Sequence, residues 1–316
     1  MELLLNFVLL IVGFVLLVKG ADFFVDGASS VAKMLKVPSL IIGLMIVAMG
    51  TSLPETSVSV SAALANKNEL AIANAVGSNI FNLMVVCGVC AVLCPLVVQK
   101  STFLKEYPMS VGAAALLLVF GLTGMLVGHI EGGILLACFV VFLLWMIFSA
   151  LKARKQSADS AAEEDQKILP VWKCILFIIG GAAAIVFGGN FVVDSASFIA
   201  LTFGMSENLV GLTIVAFGTS LPELVTSAVA AKKKEVDMAL GNVIGSNIFN
   251  ILMVLGISGA ISPMTFTTEN AVDLAVLIGF SALVWLFCIF KQRLERWQGG
   301  VMLVLYAGYV VYACMR

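Results

Sequence analysis

Two glutamates, Glu55 and Glu223, stand in stretches that otherwise have no use for a charge. Each ends the hexapeptide GTSLPE, within GLMIVAMGTSLPE (43–55) and GLTIVAFGTSLPE (211–223). An ionised carboxylate deep in an apolar helix costs from about 3 to more than 10 kcal/mol, so it needs a partner, a proton or a bound cation. Pro54 and Pro222 lack an N–H and clash with the carbonyls of Gly50 and Gly218, so each helix should open there. Carbonyls freed at membrane depth persist only where they line a cavity or are otherwise satisfied. Thr51 and Ser52 precede Glu55 by four and three residues and share its helical face, as Thr219 and Ser220 do for Glu223. Carboxylate, hydroxyl and carbonyl oxygens are hard donors, suited to Ca2+ or Na+ rather than to soft metals. Neither motif contains a lysine, arginine or histidine, so the balancing charge is expected to be a cation.

A second pair of motifs supplies neutral oxygens. NAVGSNIFN (74–82) places Asn74, Ser78 and Asn82 four residues apart, in one polar stripe, and NVIGSNIFN (242–250) repeats it with Asn242, Ser246 and Asn250. Gly77 and Gly245 would let these helices approach a neighbour closely. Serines and asparagines alone could serve as interhelical glue. Two glutamates, each behind a helix-breaking proline and each duplicated, ask for an ion between them.

The remaining candidates carry less. Asp22, Asp26 and Asp194 are expected near a membrane interface, with gating or ion entry as the alternative. His129 is expected in a solvated outer loop beside Glu131, and Glu163, Glu164 and Asp165 as a solvated charge run, with a regulatory Ca2+ site as the alternative. Cys87, Cys90 and Cys94 fall in one apolar helix and read as packing residues, since their counterparts are Leu255, Ser258 and Ser262. A zinc protease is excluded because the chain has one histidine, and Asp26 and Asp194 lie too near helix ends for an aspartyl dyad.

The elements that must position these residues are membrane helices. The chain is 61% hydrophobic and 12% charged, against nearly half and about a quarter in soluble domains. Its apolar blocks match the thickness of a bilayer core. Ten spans are expected: 3–32, 39–64, 70–97, 107–127, 132–150, 171–202, 208–231, 237–262, 270–290 and 298–315. The polar run from Lys152 to Lys167 divides them into five plus five, with a first unit over 1–150, a linker over 151–169 and a second unit over 170–316. With the N-terminus outside, the linker is cytoplasmic, and the outer loops and ends hold only Lys67 and Arg316 of the chain's 18 lysines and arginines, Lys19 lying within the first helix. That bias fits the positive-inside rule. Both motif pairs, and also Asp26 with Asp194 and Pro95 with Pro263, recur at an offset of 168 residues. An odd number of helices per copy inverts the second copy, an arrangement typical of secondary transporters. No basic patch offers a nucleic-acid surface.

GTSLPE paired with GSNIFN, twice, resembles the α-repeats of the cation/calcium exchanger superfamily, and most closely the prokaryotic sodium/calcium exchangers. The resemblance spans essentially the whole chain. It implies an all-α integral membrane protein of ten helices in two inverted five-helix repeats, with ion sites between helices 2, 3, 7 and 8. It implies Glu55 and Glu223 as the central carboxylates and Thr51, Ser52, Thr219 and Ser220 as hydroxyl and carbonyl donors. It further implies Ala48 and Ala216 as main-chain donors, with Ser78, Asn82, Ser246 and position 250 as flanking donors. The long first and sixth helices resemble the pair that slides to alternate access. The activity implied is antiport of Ca2+ for Na+, with H+ as the alternative counter-ion, in the plasma (inner) membrane; no cofactor and no enzyme activity are implied. A cation channel is the weaker alternative. Several relatives that exchange calcium carry an aspartate where this chain has Asn250. The site then holds two formal negative charges, which one Ca2+ neutralises and three Na+ exceed by one.

Overall fold

The computed structural model describes residues 2–65, 68–158, 168–205, 214, 216–289 and 291–315. It is all-helical apart from two short ribbons. The helices are α1 (Glu2–Leu35), α2 (Ser39–Thr51) and α3 (Leu53–Leu64), then α4 (Leu70–Leu93) and α5 (Thr102–Gly124). They continue with α6 (His129–Ala158), α7 (Val171–Thr202) and α8 (Leu221–Lys232), then α9 (Val236–Ile261), α10 (Thr268–Ile289) and α11 (Arg296–Met315). Among the described residues eight helices are long and apolar enough to cross a membrane, and the bent pair α2–α3 would make a ninth span. The expected span 208–231 falls partly outside the described residues. Its described part is residue 214, a turn at Ala216–Gly218 and α8.

The prolines break their helices as anticipated. The chain bends by 50° between α2 and α3, with Ser52 outside helical geometry at φ −84°, ψ 12°. Ser220 repeats this at φ −92°, ψ 5° before α8. Side chains from the long helices pack against both breaks. A Cβ on Gly50 would meet the Phe24 ring at 2.7 Å, and one on Gly218 would meet Val193 at 2.1 Å. Wide, π-type turns at Gly43–Val47, Asn82–Val86 and Phe249–Val254 adjoin the motifs, as such turns do at functional sites.

Helices α1 and α7 lie antiparallel along a seam of small residues. A Cβ on Gly13 would come within 2.9 Å of the Gly188 carbonyl, one on Gly20 within 2.9 Å of that of Gly181, and one on Gly27 within 3.1 Å of that of Cys174. The contacts step by seven residues in opposite directions, so main chain lies against main chain, as small residues permit.

Two ribbons tie the halves together. β1 (Leu96–Val97) pairs antiparallel with β4 (Arg293–Leu294), and β2 (Leu126–Val127) with β3 (Met264–Thr265). β1 and β3 are repeat mates, so each half lends a strand to the other.

Several boundaries differ from expectation. α4 stops at Leu93 and α9 at Ile261, because Cys94 and Ser262 precede prolines and are extended. α5 begins at Thr102 with a wide turn, five residues ahead of the expected start. α6 runs to Ala158, so the start of the expected linker is helical; Leu151, Lys152, Arg154 and Lys155 are good helix formers that carry the helix past the apolar block. Glu163, Glu164 and Asp165 lie outside the described residues. His129 is not in a loop: it opens α6, with Nδ1 3.0 Å from the Ala260 carbonyl, while Glu131 Oε2 accepts the Gly128 N–H at 2.9 Å. All seven cysteines are free thiols, Cys87 and Cys90 being buried.

Candidate cation site

The site forms where α2–α3, α4, α8 and α9 meet. Glu55 and Glu223 are each 0% exposed, and each is held by the opposite half. Ser52 Oγ donates to Glu223 Oε1 at 3.0 Å, and Ser220 Oγ donates to Glu55 Oε1 at 3.0 Å. A residue that grips its partner's mate while its own mate grips back defines a two-fold relation. Among the described residues neither glutamate makes an ion pair.

Around them the expected donors fall into two groups. Ser78 Oγ reaches Glu55 Oε1 at 3.4 Å. Glu55 Oε2, Glu223 Oε2, Thr219 Oγ1, Ser246 Oγ, Asn250 Oδ1 and both polar atoms of the Asn82 side chain are buried with no hydrogen-bond partner. Native interiors leave few such atoms, and each calls for an explanation. Here most of those among the described residues coincide with the expected cation donors. Thr51 Oγ1 donates to Asn242 Oδ1 at 3.0 Å, which leaves its oxygen lone pairs for a second partner. The Ala48 carbonyl accepts the Ser52 N–H at 3.0 Å and lies 3.4 Å from Thr51 Oγ1; with the one Thr51 hydroxyl proton given to Asn242, it retains a lone pair. Ala216 opens the turn Ala216–Gly218.

Asn74 and Asn242, which could have supplied oxygens, serve as framework instead. Asn74 Nδ2 donates to the Glu55 carbonyl at 3.3 Å and to Ser59 Oγ at 3.0 Å. Asn242 Nδ2 does the same to the Glu223 carbonyl at 3.5 Å and Ser227 Oγ at 2.9 Å. They hold the first turn after each proline in place. Gly245 makes its close approach, its Cβ position lying 2.6 Å from the Leu44 carbonyl. For Gly77 nothing described lies within 4 Å of that position; the mate of Leu44, residue 212, is outside the described residues.

A cavity of about 380 Å3 reaches this region between α3, α7 and the start of α8, lined by Ser57, Asn190, Asp194 and Thr219 among others. Asp194, expected at an interface, lines its wall. Asp22 and Asp26 are differently placed. Lys233 Nζ sits 2.7 Å from a carboxylate oxygen of each and donates to the Asp22 carbonyl at 2.9 Å. Ser29 of α1 also donates to Glu235. Sequence reading missed Asn79 and Asn247, although they stand inside the repeated GSNIFN; Asn79 Nδ2 donates to the Asn247 carbonyl at 3.0 Å, and Asn247 Nδ2 to the Asn79 carbonyl at 3.3 Å.

Fold and site together define an all-helical membrane protein with a buried, oxygen-lined site of negative charge. Residues 5–148 and 173–315 match the family model described as sodium/calcium exchanger protein. The chain is 36% identical to the inner membrane protein YrbG of Escherichia coli (strain K12), over 99% of this chain and 97% of the relative. It is 32% identical to the sodium/calcium exchanger MaX1 of Methanosarcina acetivorans, over 97% of both. A solved structure of the sodium-calcium exchanger NCX_Mj, soaked with Na+ and Sr2+, superposes with a TM-score of 0.85 at 34% identity, covering 98% of this chain and 99% of that one. The chain belongs to the sodium/calcium exchanger protein family, a family of cation/Ca2+ antiporters.

Proposed function

We propose that this protein exchanges Ca2+ for Na+ across the inner membrane by alternating access at the Glu55–Glu223 site. The observation that carries the reading is the cluster of buried, unpartnered oxygens around two carboxylates with no basic neighbour. Those atoms are costly unless cations engage them. Ca2+ draws on six to eight such oxygens, with no preference for thiol or imidazole. Glu55, Glu223, Thr51, Ser52, Thr219, Ser220, Ser78, Asn82, Ser246, Asn250 and the carbonyls of Ala48 and Ala216 are the ligand pool. Two negative charges cannot be fully matched by both cargoes at once, so Ca2+ and Na+ compete, and competition couples their movements.

The topology we favour is ten spans in two inverted repeats, N-terminus outside and linker in the cytoplasm. The ribbons support it. A strand pair needs both strands on one face of the membrane, and ten spans put six crossings between β1 and β4 and four between β2 and β3, both even. On this orientation the cavity beside Asp194 opens outward, while Lys233 closes the inner side. The α1–α7 pair then moves as the gate.

Uptake of radioactive Ca2+ into proteoliposomes under an imposed Na+ gradient tests the proposal. Glu55→Gln and Glu223→Gln should each abolish it, and normal uptake by both variants would overturn the site. Uptake driven by a pH gradient and not by Na+ would make H+ the counter-ion; a conductance far above carrier turnover would make the protein a channel.

A further inference from the structure

Asn79 and Asn247 each follow the serine of a flanking motif and form a clamp between α4 and α9. The direction of the clamp is chemically forced. A main-chain carbonyl only accepts, so Asn79 must present its Nδ2 to Asn247, and its Oδ1 is left to receive a donor. That donor is Asn250 Nδ2, at 3.1 Å. The Asn250 amide is thereby turned one way: its NH2 is held by Asn79, and its Oδ1 is buried with no partner. We propose that Asn79 is a positioning residue for the transported cation, orienting Asn250 so that its carbonyl oxygen and not its NH2 faces the ion. This rests on the reading of Asn250 as a ligand.

The other half lacks this constraint. The mate of the Asn79–Asn250 bond would run from Asn82 Nδ2 to Asn247 Oδ1, yet neither atom has a hydrogen-bond partner, nor does Asn82 Oδ1. One flanking amide is preset and the other adjustable, although their sequence motifs are identical. A preset oxygen contributes affinity because none of its orientation has to be bought by the ion on binding.

A double-mutant cycle on the full-length protein in proteoliposomes tests this, reading the Ca2+ KM and kcat of Na+-driven uptake. Asn79→Leu keeps the volume and removes the amide; it should raise the Ca2+ KM about tenfold, one hydrogen-bonded ligand's worth, with kcat within about twofold. Asn250→Ala should raise KM by a similar factor. Combined with Asn250→Ala, Asn79→Leu should add less than about twofold, because it has no amide left to orient. Equal fold-changes in both backgrounds, or a wild-type KM in Asn79→Leu, would overturn the proposal. Asn247→Ala removes only the side-chain bond to the Asn79 carbonyl and should leave KM within about twofold; a rise as large as that of Asn79→Leu would make the clamp merely structural. If Asn79→Leu does not fold, Asn79→Ala is compared by its Ca2+-dependent thermal shift in detergent, where an unchanged Ca2+ midpoint would overturn the idea. Loss of Na+-driven uptake in the unmutated protein would sink the exchange reading alone, because the thermal-shift cycle still measures ligand orientation.

Discussion

Gly245→Ala should weaken Ca2+ transport without unfolding the protein, and the reason is metric. A methyl group on Gly245 would lie 2.6 Å from the Leu44 carbonyl and 2.8 Å from the Ala48 Cβ, whereas ordinary contact begins at 3.4 Å. The first of these atoms is main chain, so no side chain can swing aside, and α2 and α9 must separate by up to about 0.8 Å. Overpacking of that order costs about 1–3 kcal/mol. The separation falls between Ala48–Ser52 on one side and Ser246–Asn250 on the other, segments that carry proposed donors to the same site. Ca2+–oxygen distances span only about 2.3–2.6 Å, so a shift of 0.8 Å takes one donor out of reach or strains several. A misplacement near 1 Å is worth up to about a hundredfold. Ca2+-dependent uptake by proteoliposomes should therefore show a KM raised ten- to a hundredfold, at a melting temperature lowered by only a few degrees. A KM within about twofold of wild type, in protein that still melts cooperatively, would refute the claim that this contact sets the spacing of the donors.

Other perturbations follow from the same geometry. Ser220→Ala and Ser52→Ala each remove one hydrogen bond to a carboxylate, worth about 1.5–3 kcal/mol; both should raise the Ca2+ KM about ten- to a hundredfold and by similar factors, and a large difference between them would deny the two-fold exchange. Lys233→Met frees Asp22 and Asp26. The three side chains are 28–49% exposed, and each such pair is worth at most about 1 kcal/mol, so the balance of states should shift a few-fold toward the inward-open form. A cysteine placed at Ser57, in the outer cavity, should react correspondingly more slowly with an impermeant thiol reagent in a Cys314→Ser background, and an unchanged rate would remove the latch. Partial desolvation works to lower the Lys233 ammonium, but hydrogen bonds to Asp22 and Asp26 outweigh it and hold the group above its ordinary value. A raised lysine keeps its pairing below that value and loses it only as pH climbs past it, so labelling of the Ser57→Cys protein should show no latch-dependent change between about pH 6 and 9. Gly20→Val drives a side chain into the Gly181 carbonyl and should cost about 1–3 kcal/mol of stability, read as a lower melting temperature in detergent.

The geometry of the candidate cation site was largely legible because it is local. A proline two residues after Ser52 breaks the helix whatever lies nearby, and hydroxyls three and four residues before Glu55 share its face by helical geometry alone. The repeat offset paired the halves, and the hydrogen bonds between Ser52, Glu223, Ser220 and Glu55 conform to it. What escaped depends on contacts between distant residues. Nothing near Asp22 or Asp26 announces a lysine more than 200 residues away, and His129 reads as a loop residue until α9 ends against it. Asn79 sat inside a motif already noticed, but reading the stripe at four-residue spacing selected Ser78 and Asn82 and passed over the residue between them. Its role becomes visible only once α9 brings the Asn247 carbonyl to its side chain.

The departures from symmetry bear on how such a protein works. Identical halves in an inverted arrangement would give inward- and outward-open states of equal energy. Here the halves agree in the reciprocal serine–glutamate bonds at the centre of the candidate site and differ at its flanking amides and around it. Asp26 has its mate in Asp194, but Asp22 corresponds to Asn190, and Lys233 to Ala65. One end of the α1–α7 seam therefore carries a closed ion-pair cluster, while Asn190 and Asp194 line a cavity at the other. By the pairing of Gly13 with Gly188 and Gly20 with Gly181, Asp22 lies level with residue 179, about ten residues or 15 Å along the helix from the middle of the cavity wall. An equilibrium near balance needs only about 1 kcal/mol to become fivefold unequal, which is the scale of what Lys233 supplies. On the proposed mechanism the central pair of glutamates can thus stay symmetric, while a few exposed charges set which side stands open at rest.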